Sequence, residues 1–511
     1  MKKNLLITAT LVLSLFTSCA HKMGDAIAIT VYTDSIVSDI SNHPVGINLN
    51  FIMDGRRFPK AKKNVTEAVK ELGTKYLRYP GGEKSDLYLF GIPPYEESHT
   101  SLARTIGLDD YPGVFKDGEF VYDPLDFDEF MKVCRDVGAE PVLVVAADNY
   151  LRKPEKGERV SGREALIKHA AEWVRYANIK KKYNVRYWMI GNESWNKNNE
   201  NSTVDIYAQD VIDFSKAMKA VDPSILVIPN GDSDEFFKAV ITKAGDYIDR
   251  LCVSNYGIFN FNAGYESYKD TARCLIWPAQ TALNAMNKYA TPEQLSKWKL
   301  IVAEYGTIDW AGLWHGTNDM GHAIVNFDMT GQLLLEPQIE FSCFWNTRWL
   351  NNEEQPQTDH DAIDSNGNIN PTGYSLLIWN KFMGDKMIKS ESKGYIISYA
   401  SYSPQKDQLF VYLINKGDRE ESVNIVIPGK GDAKVVQCWE YFGKDDKDLA
   451  PVWQQRDVKD KDITNMLKNQ SNSSAYHCFG DSIICTVLCA IFGELFNIDY
   501  KNLIESWNYN E

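Results

Sequence analysis

Two glutamates carry the chemistry that this sequence could perform. Glu193 stands in VRYWMIGNESWNK (residues 185–197), where a run dominated by β-branched, aromatic and apolar residues is broken by Gly191 and delivers Asn192 and Glu193 side by side. Glu304 ends the apolar run of LIVAEYGT (residues 300–307). A carboxylate at the tip of a core strand is costly to desolvate unless it is paired or used. Held together, two such groups suit hydrolysis of a glycosidic bond: one acid protonates the leaving oxygen while the other carboxylate attacks, the pair roughly 5–5.5 Å apart in enzymes that retain configuration. Neighbouring carboxylates cannot both ionise freely, so one is expected to keep its proton near neutral pH. Either glutamate alone reads equally well as a salt-bridged or solvated strand end; two in corresponding places favour chemistry.

Such a pair needs a scaffold that gathers separate strand ends. From residue 44 onward eight short apolar runs each end in polar residues: VGINLN, TKYLRYPGG, EPVLVVAADN, VRYWMIGNE, ILVIPNGD, RLCVSNYG, LIVAEYGT and IEFSCFWNT. Stretches with helical period lie between them. DPLDFDEFMKVCRDVG, for one, sets Phe127, Phe130, Met131 and Cys134 on one face and Gly138 as a stop. Continuous apolar strands alternating with helices predict a parallel sheet covered on both faces. Eight such units predict an α/β fold of the closed (β/α)8 TIM-barrel type, whose strand ends share one mouth. A doubly wound open sheet is the rival, weakened because no GxGxxG turn follows the first strand. In the barrel, the glutamates of strands four and seven face each other across the mouth.

The chain of 511 residues carries a formal net charge of −14, which disfavours nucleic acid and anionic membrane surfaces as partners. It begins MKKNLLITATLVLSLFTSCAHK: two lysines, an apolar stretch from Leu5 to Phe16, then Thr-Ser-Cys-Ala. That reads as a secretory leader, too short and too early for a membrane span. The residues leading to Cys19 resemble the lipobox of bacterial lipoproteins, in which the cysteine becomes the lipidated first residue; an ordinary signal peptide is the other reading, and both export the protein. Membrane association is expected only through that lipid anchor. The other eight cysteines show no CxxC pairing and read mostly as buried small apolar residues, with a disulfide left open. His315 and His360 stand isolated, and no metal or cofactor is expected. The segments 154–164 and 351–373 read as polar loops, the second failing as an EF-hand because Ala362 would fall at the first ligand position. No feature of the sequence sets an oligomeric state.

IGNESW, VAEYGT and, at the second strand, YLRYPGGE resemble the clan of retaining (β/α)8 glycosidases, and within it most the α-L-arabinofuranosidases of glycoside hydrolase family 51. The resemblance covers roughly residues 44 to 430. It implies Glu193 as general acid/base and Glu304 as the nucleophile. It further implies that Asn192 hydrogen-bonds the sugar 2-hydroxyl, that Tyr256 holds Glu304 by its phenol, and that Arg78 lies against the nucleophile. Tyr256 as a cap on a buried polar group and Arg78 as a barrel-end salt bridge are the bland readings. Two departures stand out. Where the family usually has Asn after Arg-Tyr-Pro-Gly-Gly and Glu at the tip of strand one, this chain has Glu83 and Asn50, so a different hydroxyl pattern could be favoured. Strand six reads Ser254-Asn255-Tyr256, where a histidine is expected near the tyrosine. Trp195, Trp310, Trp314, Trp345 and Trp349 fall in or just beyond strand ends, where a ring can face sugar or fill core; Asn346 at the tip of strand eight is a further candidate for the sugar site.

The expected organisation is a leader over 1–19, strand material at 26–42 joining a C-terminal sheet, the catalytic barrel over 43–374, an antiparallel β-sandwich over 375–475, and an atypical tail over 476–511. The tail abandons the alternating pattern of GYIISYASYSPQKDQLFVYLINKGDREESVNIVIPG and holds three cysteines in a short space, suggesting a frameshifted end or a divergent helix. The expected protein is an exported retaining glycosidase acting on plant or algal polysaccharide fragments, arabinofuranosidase-like. A β-glycosidase of the same clan, xylosidase or agarase-like, would use the same two glutamates, and a catalytically inactive glycan-binding surface lipoprotein is the non-enzymatic alternative. Retention of Glu193, Glu304, Asn192 and Arg78 together speaks against decay.

Overall fold

The computed structural model describes residues 26–103, 114–116, 119–151, 161–196, 203–259, 261–270, 273–349, 358–429, 433–456, 476–478 and 482–490. The leader with Cys19, parts of both polar loops and residues 491–511 lie outside them. Among the described residues no helix is long and apolar enough to cross a membrane.

The eight apolar runs are eight parallel strands: Val45–Asn48, Tyr76–Tyr79, Glu140–Val145, Tyr187–Ile190, Leu226–Pro229, Leu251–Asn255, Leu300–Tyr305 and Ile339–Phe344. Each pairs with its sequence neighbour, and the eighth with the first. A single parallel bridge between Asn230 and Cys252 joins the fifth strand to the sixth and closes the ring. Side chains alternate between a lumen and an outer layer. The lumen is filled by Tyr76, Val144, Met189, Ile301, Phe341 and their neighbours, with Tyr76 stacked on Phe341 at 4.1 Å. Outward-facing Leu77, Trp188 and Val302 pack beneath the helices.

Those helices start and stop where local chemistry dictates. Asn64 and Glu67 form a reciprocal capping box ahead of Val65–Leu72, and left-handed Gly73 ends it. Asp126 caps Phe127–Val137, whose buried face is Phe127, Phe130, Met131, Val133 and Cys134, and Gly138 at φ 67° terminates it.

Beyond the barrel, a separate and mostly antiparallel nine-stranded sheet has the order 452–456, 433–442, 482–490, 408–415, 396–403, 386–391, 27–39, 421–426, 476–478. The N-terminal strand Ile27–Asp39 lies inside this sheet, antiparallel to Lys386–Glu391 and parallel to Glu421–Val426. The expectation for the tail is corrected here. Ser482–Ala490 pairs along its length with both Gln408–Asn415 and Ala433–Phe442, and Tyr476–Cys478 pairs with Glu421–Val426. These stretches therefore belong to the sheet, because a fully paired inner strand is neither a helix nor a frameshifted end.

Gln408–Asn415 is buried on both faces. Leu409, Val411 and Leu413 enter the sheet's own apolar cluster, while Phe410, Tyr412 and Ile414 join the core beneath the barrel helices. Helix Met320–Leu334, buried at every residue but Gln332, and helix Pro371–Lys381 fill that junction. At its centre the Trp379 ring stacks on Phe327 at 4.6 Å, lies 4.3 Å from Tyr412, and donates its indole N–H to the Phe327 carbonyl. Of the cysteines whose side chains are described, Cys134, Cys252, Cys343 and Cys438 are buried, Cys274 is exposed, and all are unpaired.

Trp379→Ala should destabilise the protein by about 3–5 kcal/mol, as a cavity between sheet and barrel would. Urea unfolding followed by far-UV circular dichroism should show one transition moved to lower denaturant; loss of the sheet alone, with the barrel transition unmoved, would contradict a shared core.

Candidate active site

The site is assembled from the lumen-facing residues at the strand ends. Arg78, on strand two, is fully buried and donates in three directions: from Nη1 to Asn48 Oδ1 at 2.7 Å and Glu304 Oε1 at 2.8 Å, from Nη2 to Asn192 Oδ1 at 2.7 Å, and from Nε toward Met189 Sδ at 3.2 Å. Strands one, two, four and seven thus converge on one guanidinium. Its planar fork suits this task in a way a lysine ammonium does not.

Glu304 reaches the lumen through an irregularity. Strand seven keeps register with strand six up to Val302 opposite Val253, then slips one residue, so that Glu304 lies opposite Ser254 and Tyr305 opposite Asn255. The inserted residue, Ala303, is a β-bulge, a device that re-aims a side chain beside a site. Asn48 holds it: its amide N–H2 donates to the carbonyls of Ala303 at 3.0 Å and Phe344 at 3.1 Å, while its oxygen receives Arg78. The second oxygen of Glu304 accepts from Tyr256 Oη at 2.8 Å. Burial, reinforced by the charges of Glu304 and Glu193, pushes the Tyr256 phenol well above its usual range, so it stays a donor.

Glu193 sits in a strained turn. Gly191 at φ 68° is followed, two residues on, by Glu193 at φ 46°, a left-handed conformation that a glutamate adopts only when its surroundings impose it. The surroundings are Asn230 and Tyr207. Asn230 accepts from the Ser194 amide at 3.0 Å and donates to Ile190 O at 3.1 Å, and Tyr207 Oη donates to Ile190 O at 2.7 Å. Although Glu193 keeps part of its surface open, its carboxyl lies deep in protein. Burial first, then the nearby charge of Glu304, raise its pKa to about 7; Glu83 adds to the rise, while Ser254 and Arg78 oppose it. Two glutamates, one tied to a guanidinium and a phenol and the other pushed toward neutrality, form an unequal pair of the kind that divides acid and nucleophile roles.

Several further polar atoms at the strand ends are buried without a hydrogen-bond partner: Asn192 Nδ2, Asn50 Nδ2, and both Oδ1 and Nδ2 of Asn346. Such atoms are costly unless a ligand completes them. Asn50 has otherwise turned inward, its oxygen accepting from the Ile52 amide at 2.9 Å. Glu83 is exposed, at the start of a short helical turn after strand two. Trp345 rests on Gly82, where any side chain would run into its ring, and lies 5.0 Å from Trp349. Trp310 is 63 % exposed, its ring edge-on to Tyr256 at 5.5 Å. Two tryptophans are placed otherwise: Trp195 packs against Phe236, and Trp314 is buried, stacked on His322 at 3.7 Å and on Phe261. Trp314 therefore fills core rather than facing the mouth.

Sequence reasoning missed Asn48, Ser254 and Asn230 as parts of this site. The first carried a signal, since it shares the face of Asn50 two residues on. A cavity of about 540 Å3 lined by His99, Phe115, Phe120 and Tyr122 lies elsewhere; neither glutamate lines it.

Residues 68–273 match the family model described as Alpha-L-arabinofuranosidase 1 domain, a span that includes Arg78, Glu193 and Tyr256 but ends before Glu304. Over 187 residues the chain is 30 % identical to alpha-L-arabinofuranosidase C of Emericella nidulans, an alignment covering 33 % of this chain and 32 % of that protein. The chain thus spans about a third of the length of the first curated relatives it matches. Its fold is that of the alpha-L-arabinofuranosidase from Thermotoga maritima, solved as an arabinose complex, with a TM-score of 0.67 and 18 % identity over 90 % of this chain and 99 % of that one. The GH51 alpha-L-arabinofuranosidase from Thermotoga petrophila compares similarly, at a TM-score of 0.64 and 18 % identity, covering 90 % of this chain and all of that one. In fold, in the segment matched and in its strand-end residues, the chain resembles the α-L-arabinofuranosidases of glycoside hydrolase family 51.

Proposed function

We propose that this chain is a retaining glycoside hydrolase that cleaves α-L-arabinofuranosidic bonds in plant or algal polysaccharide fragments. The observation that carries the reading is the unequal pair: Glu304, gripped by Arg78 and Tyr256, beside Glu193, whose pKa is raised to about 7. In the first step a Glu304 oxygen bonds to the anomeric carbon while the glycosidic C–O bond breaks, and Glu193 gives its proton to the departing oxygen. The sugar is then esterified to Glu304 and Glu193 is ionised. In the second step Glu193 takes a proton from water, whose oxygen displaces Glu304 from the anomeric carbon. The two-step route returns both glutamates to their starting states and preserves anomeric configuration.

The remaining residues position and discriminate. Asn192 has its oxygen committed to Arg78 and its N–H2 unpartnered, which supports a role as donor to the sugar 2-hydroxyl. Asn50, Asn346, Glu83 and Trp345 supply further polar atoms and an apolar ring for the sugar. Trp195, packed on Phe236, would act at one remove. The leader, with Cys19 as lipidation site, supports an exported, membrane-anchored protein that meets its saccharide outside the cytoplasm. The chemistry needs no cofactor.

Release of nitrophenol from an aryl α-L-arabinofuranoside tests the reading. The wild-type chain should turn over and Glu304→Gln should fall to background. Glu193→Ala should lose roughly 10²- to 10⁴-fold on arabino-oligosaccharides, whose leaving groups need the proton, and much less in the first step with the activated aryl substrate. No turnover here but hydrolysis of an aryl β-xyloside would keep the pair and move the sugar. Because the first step needs Glu193 protonated, kcat/KM should decline as pH rises through about 7, close to tenfold per unit beyond it. A plateau extending past pH 9 would assign the proton to another group.

A further inference from the structure

We propose a Zn2+ site on the segment that follows the Glu304 strand, formed by His315, Asp319, His322 and Asp359. The site is independent of the sugar chemistry proposed above. His315, Asp319 and His322 each offer a ligand atom, and these atoms lie within 4.8 Å of one another. His315 Nε2 is 3.5 Å from Asp319 Oδ2, and His322 Nε2 is 3.8 Å from Asp359 Oδ2. Ligands at about 2.0–2.2 Å around a tetrahedral ion are separated by roughly 3.3–3.5 Å, so the pairs need only a small contraction.

The state of His322 makes this more than a charged cluster. Its ring is fully buried, its Nδ1 is bonded to Asp319 Oδ1 at 2.7 Å, and its Nε2 has no hydrogen-bond partner. A carboxylate on one ring nitrogen fixes the tautomer and leaves the lone pair of the other free, the arrangement found behind metal-bound histidines. Nothing in an apolar core explains the orphaned nitrogen: Trp314 stacks on the ring face at 3.7 Å and satisfies no lone pair. Asp319 is held as the N-cap of helix Met320–Leu334, accepting from the His322 amide at 3.0 Å. Asp359 is fixed by its own amide, which donates to Gly316 O at 3.0 Å. Only His315 is open to solvent, its side chain 44 % exposed, which leaves an entry path.

Ligand chemistry selects the ion. Two imidazoles and two carboxylates suit Zn2+, whereas Ca2+ and Mg2+ prefer oxygen alone. A bound ion would lock the segment after strand seven to the one after strand eight. Those segments already touch through the Thr317–Thr358 bridge. The first of them also carries Trp310 to its place beside Tyr256.

The spacing i, i+4, i+7 of His315, Asp319 and His322 was visible in sequence, but the helix cap that folds it and the distant Asp359 were not. The test uses the full untagged chain, stripped with EDTA, dialysed and titrated with ZnCl2 by calorimetry, with bound metal counted by mass spectrometry. One Zn2+ per chain and a Tm raised by several degrees are expected, with CaCl2 giving neither. His315→Gln, at an exposed position that folding does not need, should weaken zinc at least tenfold, and His322→Gln should abolish the site. His360→Gln, which alters a neighbour of Asp359 outside the ligand set, should bind as the wild type does. Absence of stoichiometric zinc, or His315→Gln binding as tightly as the wild type, would overturn the proposal.

Discussion

A buried guanidinium governs this molecule. Arg78 lies in the barrel lumen with no access to water, where an unpaired charge would cost several kcal/mol. Its cost is offset only if Asn48, Asn192 and Glu304 arrive together, and those residues belong to strands one, four and seven. The placement of four strand ends is therefore fixed by one electrostatic requirement. The same cation divides the two glutamates: Glu304 is bonded to it directly, while Glu193 feels it only at a distance and is dominated by burial and by its neighbour's charge.

Around that centre, much of the structure serves to hold awkward backbone. Strand seven must bulge at Ala303 to present Glu304, and Asn48 pins the bulge from across the lumen. The turn from Gly191 to Ser194 must take up positive φ twice to present Glu193, and Asn230 and Tyr207 clamp it from the next strand and helix. Both catalytic candidates thus depend on side chains that need never touch a sugar.

The legible part of this fold was the part written in local pattern. Eight apolar runs ending in polar residues mark eight strands because a strand covered on both sides must be apolar throughout, and Phe127, Phe130, Met131 and Cys134 mark a helix because its face repeats every 3.6 residues. Glu193 and Glu304 were legible as carboxylates at strand tips. The bulge was not, because it exists only as a slip between strands six and seven. Ser254 reads as an ordinary strand residue until the slip sets it opposite Glu304. Ser482–Ala490 escaped for the opposite reason: SIICTVLCA is apolar without alternation, so it lacks the period that marks a sheet strand with one wet face, yet it pairs on both sides. His322 looked isolated because its partner Asp359 is brought to it by a different loop.

The nine-stranded sheet is threaded from both ends of the barrel sequence. Ile27–Asp39 is made before any barrel strand, and Ser482–Ala490, which fills the gap between Gln408–Asn415 and Ala433–Phe442, is made after all of them. During synthesis the barrel's eight units can emerge and pair while the platform beneath them still lacks an inner plank. Until residue 490 leaves the ribosome, two strand edges stand open and the face carrying Phe410 and Tyr412 has only part of its sheet behind it. Final assembly is thus post-translational in its last step, and a nascent chain of this protein would be held unfinished, and vulnerable to strand exchange, for as long as its final segment is delayed.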